Sequence, residues 1–190
     1  MSEVVIEKYF FEGNGRVPNS RLPLLIYRNA VRGTPREVES KLRKNTWSPL
    51  WHAHHGMWPR HHFHSEAHEF ICVTQGIHTG KFGGHNGISA QLNAGDAVII
   101  PAGVGHRGLQ ISDDLNLTGG FHEGFCMVDF RICYPEEYVE MCRISREVPI
   151  LEHDPFFGLN GPLARIWRDA DRGICGASIE TVDAALLTTL

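Results

Sequence analysis

The chain has 190 residues, of which 42% are apolar and 21% charged, and a formal net charge of −4 at pH 7. A chain of this length makes one domain that buries roughly 70% of its unfolded surface without disulfide staples. The slight acidity and the lack of a Lys/Arg run or helix-turn-helix pattern argue against a nucleic-acid partner, and no stretch approaches the ~20 apolar residues of a membrane helix.

Five cysteines (Cys72, Cys126, Cys133, Cys142 and Cys175) form no C-x-x-C pair, and their number is odd. They read as reduced thiols of an intracellular protein. The opening "MSEVVIEKYFFEGNG" has no basic segment followed by an apolar one, so no secretory signal is expected and the cytoplasm is the expected location. The compositional outliers are twelve histidines and twenty glycines.

In chain order, "VVIEKYFF" and "LPLLIYR" read as strands. Thr34-Pro35-Arg36-Glu37 is a capping box with proline at the first helical position. It predicts a helix to about Asn45 whose Val38 and Leu42 brace the outside of the sheet. "EFICVT", "HTGKFGG", "ISAQLN", "DAVIIP" and "LNLTGGF" follow as short strands, with Gly76, Gly83, Gly84, Gly87 and Gly95 at the turns. Many short strands at close spacing predict an antiparallel barrel or sandwich. Beyond Pro135, "PEEYVEMCR" reads as a short helix and "VPILEHDPFFGLNGPLARIW" as an irregular strap. The tail after Arg168 reads as a weak helix from Ser178 or as loose chain.

The stretch "GMWPRHHFHSEAHEF" concentrates the chemistry. Strand alternation points His62 and His64 one way and Phe63 the other, which makes half a metal site. If "SEAH" is a turn, Glu69 returns to the same interior on a strand that it shares with Ile71 and Val73. Two imidazoles and a carboxylate suit Fe, Mn, Co, Ni or Zn. A fourth donor has to come from a strand distant in sequence. His106 is offered by "GDAVIIPAGVGHRGLQ", where Pro101 and Gly103 set a rigid bend before it.

These residues resemble the two cupin motifs, G-x5-H-x-H-x3-4-E-x6-G and G-x5-P-x-G-x2-H-x3-N. The first reads Gly56, His62, His64, Glu69, Gly76; the second reads Gly95, Pro101, Gly103, His106, with Gln110 in place of the final asparagine. "NSRLPLLIYR", "HHFHSEAHEF", "PAGVGH" and the strap are similar to segments of YjlB-like cupins over roughly residues 7 to 168. The resemblance implies an all-β, single-domain cupin, a double-stranded β-helix or jelly-roll barrel with a short N-terminal helix and a C-terminal extension. Residues 1–48 would pack on the barrel, 49–135 form its core, and 136–190 make the strap and tail. It also implies a homodimer, and one divalent transition metal per chain on His62, His64, Glu69 and His106.

Neighbouring groups are weighed separately. His52 and His54 form a second H-x-H with Pro59, not a carboxylate, five residues beyond His54, and read as a cavity rim or a solvent-facing strand. His61, Glu66 and His68 read as bystanders in the turn or on the outer face. His122 and Glu123 would overhang the barrel mouth as an acid/base pair or an orienting group, against the plainer reading of a loop histidine. Arg60 and Arg107 could clamp a carboxylate, but alternation turns them outward; Asp129 and Tyr134 are weaker candidates. Trp47, Trp51 and Trp58 read as core or edge packing.

The expected function is a metal-dependent enzyme acting on a small organic molecule in an apolar pocket. Oxygenase chemistry ranks slightly ahead of isomerase, lyase or decarboxylase chemistry. The alternative is a non-catalytic metal-containing cupin that binds a small molecule or sugar. Because imidazoles must be neutral to ligate, metal affinity is expected to fall below about pH 6.5.

Overall fold

Segments whose apolar residues run without a break become strands buried on both faces, and "LPLLIYR" is the clearest case. In the computed structural model, which describes residues 3–125, 129–132 and 134–187, it lies in β2 (Ser20–Arg28). Leu24 and Ile26 face one core, while Leu25 and Tyr27 face another. β2 sits inside a seven-stranded antiparallel sheet with β1 (Glu3–Phe11), β3 (Trp47–Ala53), β4 (Glu69–Gln75), β7 (Ala97–Ile100), β9 (Asn116–His122) and β12 (Ile179–Asp183). The order is β12-β1-β2-β7-β4-β9-β3. A second antiparallel sheet orders β6 (Ile88–Asn93), β5 (Ile77–Phe82) and β8 (His106–Ile111) as β6-β5-β8. The two sheets share a core of Ile71, Val73, Val98 and Leu117 against Phe82 and Leu92. All seven expected strands are present; β3, β8 and three short strands of the C-terminal part are additional among the described residues.

The expected helix is α1 (Pro35–Lys44). The Thr34 side chain accepts from the Glu37 amide, and Glu37 Oε2 accepts from the Thr34 amide at 2.7 Å. Val38 and Leu42 are buried against the outer layer of the large sheet. The helix after Pro135 is α2 (Tyr138–Glu147). Gly76, Gly83, Gly84 and Gly95 adopt positive φ, whereas Gly87 is required for close approach to the Phe82 carbonyl. Cys126 and Cys133 lie outside the described residues.

Two expectations for the C-terminal part are corrected. The strap is only partly irregular: β10 (His153–Asp154) and β11 (Gly158–Leu159) form a small hairpin, and α3 (Pro162–Asp171) follows. Pro162 opens this helix at its first turn, where a missing N–H costs nothing. Leu163, Ile166 and Trp167 then fall on one buried face. Buried Asp154 holds the arrangement together, accepting from Tyr27 Oη at 2.7 Å and from the amides of Phe156, Phe157 and Leu163. The tail, expected as a weak helix from Ser178 or as loose chain, contributes the strand β12. The β-branched run "IETV" pairs β12 with the edge of β1, where tertiary pairing outweighs a marginal helical pattern.

Burial also fixes a titration behaviour. His78 is fully buried against Gly56 and Gly108, and desolvation lowers its pKa to about 4. The unfolded chain takes up the His78 proton near pH 6.5, the folded chain only near 4, so stability is lost as pH falls between those values. From pH 6.5 to 5, His78 alone contributes about 2 kcal/mol of this loss. Denaturant melts of the wild type and His78→Leu across that range should show a shallower pH slope in the variant by about this amount.

Candidate metal centre

Between β3 and β4 the chain makes isolated bridges, His62 to His106 and Phe63 to Arg131. Reciprocal backbone bonds of 3.1 and 2.8 Å tie His62 to His106, and the Gly103 amide donates to His64 O at 2.8 Å. This short bridged stretch keeps strand alternation. His62 and His64 line a cavity, and Phe63 turns away to pack with Met141. The "PAGVG" bend holds Gly103 at φ +86°, where a Cβ would sit 2.7 Å from Asn19 O, and it delivers His106 as the first residue of β8. Glu69 opens β4 on the face of Ile71 and Val73 and lines the same cavity.

Each of His62, His64 and His106 offers a ligand atom, all within 4.8 Å of one another. Their Nδ1 atoms face main-chain carbonyls: His62 that of Arg60 at 3.0 Å, His106 that of Val104 at 3.0 Å, and His64 that of Asp129. A carbonyl only accepts, so Nδ1 carries the proton in all three and Nε2 presents a lone pair. Glu69 Oε2 lies 3.0 Å from His106 Nε2 and 3.6 Å from His64 Nε2. Both Glu69 Oε2 and His106 Nε2 are buried without a hydrogen-bond partner. Desolvation lowers the His62 pKa to about 3 and that of His106 to about 4, so both imidazoles are neutral at pH 7. Burial raises the Glu69 pKa against the opposing pull of His64 and His62. Two acceptors facing each other in a dry site are costly unless a proton or a metal cation lies between them. The donors fit a divalent transition ion. The proton competition expected near pH 6.5 moves lower, towards pH 3 at His62 and pH 4 at His106.

Asp129 supports this arrangement more than its sequence context indicates. Its carbonyl accepts from His64, while its buried carboxylate accepts from the amides of Ser65 at 2.7 Å and Glu66 at 3.3 Å. Ser65 Oγ at 2.6 Å and Arg131 Nε at 2.8 Å complete the set. These bonds hold the carboxyl below its usual range despite desolvation, the largest single influence, which acts the other way. The residue thus pins the "SE" turn and the ring of His64 together.

A cavity of about 270 Å³ opens beside the histidines, lined by Trp51, His55, Gly56, Met57, Trp58, Phe121 and Phe130 in addition to His62, His64, Glu69 and His106. Trp51 and Trp58 are therefore cavity walls, in contrast to the packing role expected of them; Trp47 is core. Trp51 lies over Gly119, whose Cβ would collide with the indole.

His122 and Glu123 are not brought to this cavity. Phe121 faces it, so alternation turns His122 to the outer layer, against Trp47 and His68, and Glu123 is exposed in the turn beyond. His68 is not at the surface as expected. It has the outward parity, but α3 covers that face; His68 is buried against Trp167 and its Nδ1 accepts from the Ala102 amide at 2.9 Å. His61, Glu66, Arg60, Arg107 and Tyr134 line no part of the cavity. His52 meets Glu39 at 3.0 Å, and His54 Nδ1 meets Leu115 O at 2.9 Å. The sequence reading passed over His55, Phe121 and Phe130. The inward parity of Phe121 beside Gly119 was an available signal, whereas Phe130 had none.

Paired antiparallel sheets with a three-histidine cluster between them define a cupin-type fold and metal-binding site. No protein-family model matches the chain. A Bacillus subtilis (strain 168) protein, described only as uncharacterized protein YjlB, is 34% identical over 162 residues, 85% of this chain and 96% of that protein. The chain belongs to the YjlB-like group of the cupin superfamily. Among solved structures, the TDP-fucose-3,4-ketoisomerase WlaRA of Campylobacter jejuni is similar over 54% of this chain and 76% of its own, at 10% identity and a TM-score of 0.39. The dTDP-6-deoxy-D-glucose-3,5-epimerase RmlC of Legionella pneumophila is similar over 78% and 86%, at 12% identity and a TM-score of 0.35. These overlaps bear on neither substrate nor reaction. Among the described residues, no helix is long and apolar enough to cross a membrane.

Asp129→Ala should retain the β-rich circular dichroism spectrum but weaken Zn²⁺ binding by about tenfold, because the main-chain carbonyl that orients His64 loses the carboxylate bonds to Ser65, Glu66 and Arg131 that hold it in place. Competition titration against a chromogenic chelator measures this.

Proposed function

We propose that the chain is a metal-dependent enzyme in which His62, His64, Glu69 and His106 hold one divalent transition ion beside a cavity for a small organic molecule. The observation that carries this reading is the 3.0 Å approach of His106 Nε2 to Glu69 Oε2, two buried polar atoms without a hydrogen-bond partner beside two further imidazoles. Such an ion supplies Lewis acidity or a meeting place for substrate and dioxygen. The protein's own part is to hold the three imidazoles as Nδ1–H tautomers, orient the substrate between aromatic walls and exclude water.

Oxygenase-type chemistry ranks ahead of isomerase, lyase or decarboxylase chemistry. Proton relocation on a substrate calls for acid and base groups at the cavity. Among the described lining residues, only His55 is titratable besides the four donors. Its Nδ1 donates to Gly56 O at 3.1 Å, which leaves Nε2 as a lone-pair acceptor. Cys72, Cys142 and Cys175 are free, which suits a cytoplasmic enzyme.

Elemental analysis of protein purified under controlled metal supply should find one transition ion per chain. His62→Ala and His106→Ala should lose that ion and all turnover, followed as oxygen uptake or product formation. Glu69→Gln should weaken metal binding at least tenfold. Turnover retained by a metal-free His62→Ala/His106→Ala protein would sink the proposal. One metal per chain with tight ligand binding and no turnover, with or without air, would establish a binding protein instead.

A further inference from the structure

From the walls of the cavity we infer its ligand class: an uncharged, single-ring aromatic molecule carrying a phenolic oxygen, as in phenol or catechol. For its oxygen end the inference rests on the metal-dependent reading above; for its ring it rests on the walls alone.

Size sets the first limit. The cavity of about 270 Å³ lies just below the range that holds drug-sized ligands, so its occupant is small. Charge sets the second. Among the described residues no lysine or arginine lines the cavity, and its one non-histidine ionisable group is the Glu69 carboxylate. A phosphate or sugar nucleotide would find no fixed positive side chain there. Arg60, the nearest candidate in sequence, is exposed, with its guanidinium carbon 5.9 Å from the Trp58 ring centroid.

The walls present both faces and edges of rings. Phe130 stacks on His62 with centroids 4.2 Å apart and planes 13° from parallel. Trp58 meets Phe130 edge-on at 4.4 Å, and Phe121 meets the His64 ring edge-on at 4.9 Å. Rings in these orientations expose the complementary parts of an aromatic quadrupole, which an aromatic guest matches and a saturated ring of equal size does not. Phe130 and Trp58 are also 49% and 38% exposed. Two large apolar rings half in water at a cavity mouth are the surface that a bound ring would cover. The polar end of the cavity is the histidine cluster, so an oxygen on the guest belongs there and its hydrocarbon edge belongs between Trp51, Trp58 and Phe130.

The test is a binding measurement, independent of turnover. Full-length protein, both chelator-treated and Zn²⁺-loaded, is titrated with phenol, cyclohexanol and glucose 6-phosphate, following calorimetry and tryptophan fluorescence. Phenol should bind the Zn²⁺-loaded protein about tenfold tighter than cyclohexanol, with no saturable binding of glucose 6-phosphate. The preference for phenol over cyclohexanol should persist, at lower affinity, without metal. Phe130→Leu and Trp58→Leu should each reduce it to within about threefold while one Zn²⁺ per chain is retained, which shows that the fold is intact. Equal binding of phenol and cyclohexanol, tighter binding of glucose 6-phosphate, or an undiminished preference in both variants would overturn the inference. Failure to retain Zn²⁺ alongside a persisting phenol preference would refute the metal reading and support the aromatic walls.

Discussion

Each clustered imidazole gives its Nδ1 proton to a main-chain carbonyl, at Arg60, Asp129 or Val104, and this commitment governs the rest of the site. A ring anchored this way has a fixed tautomer and a fixed plane, and its Nε2 lone pair must point where the backbone aims it. Three such lone pairs, with the Glu69 carboxylate brought to 3.0 Å from one of them, make a buried cluster of acceptors that an apolar interior does not tolerate unaided. The same burial that makes the arrangement costly keeps His62 and His106 neutral, as a cation requires.

The scaffold around this cluster divides the labour between two layers. The space between the two sheets holds the cavity, to which the large sheet brings Glu69, the small sheet His106, and the bridged stretch before β4 His62 and His64. The opposite face of the large sheet is closed by α1, α3 and the hairpin that Asp154 organises. Strand alternation assigns neighbouring residues to these layers one by one: Glu69 inward and His68 outward, Phe121 inward and His122 outward. Histidines adjacent in sequence thereby take unrelated roles. His68 and His122 are packing groups in an aromatic layer with Trp47 and Trp167, although their residue type is that of a ligand.

Much of this was legible in advance because it follows from local rules. The capping box at Thr34, the continuous apolar runs of β2 and β7 and the parity of His62 against Phe63 are all short-range properties. The turns at Gly76 and Gly103 are short-range as well. The elements read wrongly were those whose state depends on a distant partner. "IETV" is a strand because the edge of β1 was free to pair with it, and "PLARIW" is a helix with a sheet face to cover. His68 was expected at the surface because nothing nearby in sequence announces that α3 will cover it.

By itself, then, the sequence singled out the candidate donors, of which the structure brings His62, His64 and His106 into one cluster. Residue chemistry, alternation and spacing along single strands single out His62, His64, Glu69 and His106, and those are properties of bonded neighbours. Only the tertiary structure decided what surrounds the donors. Asp129 reaches His64 across 65 positions, Trp51 leans over Gly119 from the paired strand, and Phe130 stacks on His62. No local pattern encodes those approaches, because they arise from how sheets and loops converge, and they shape the cavity in which any ligand must fit.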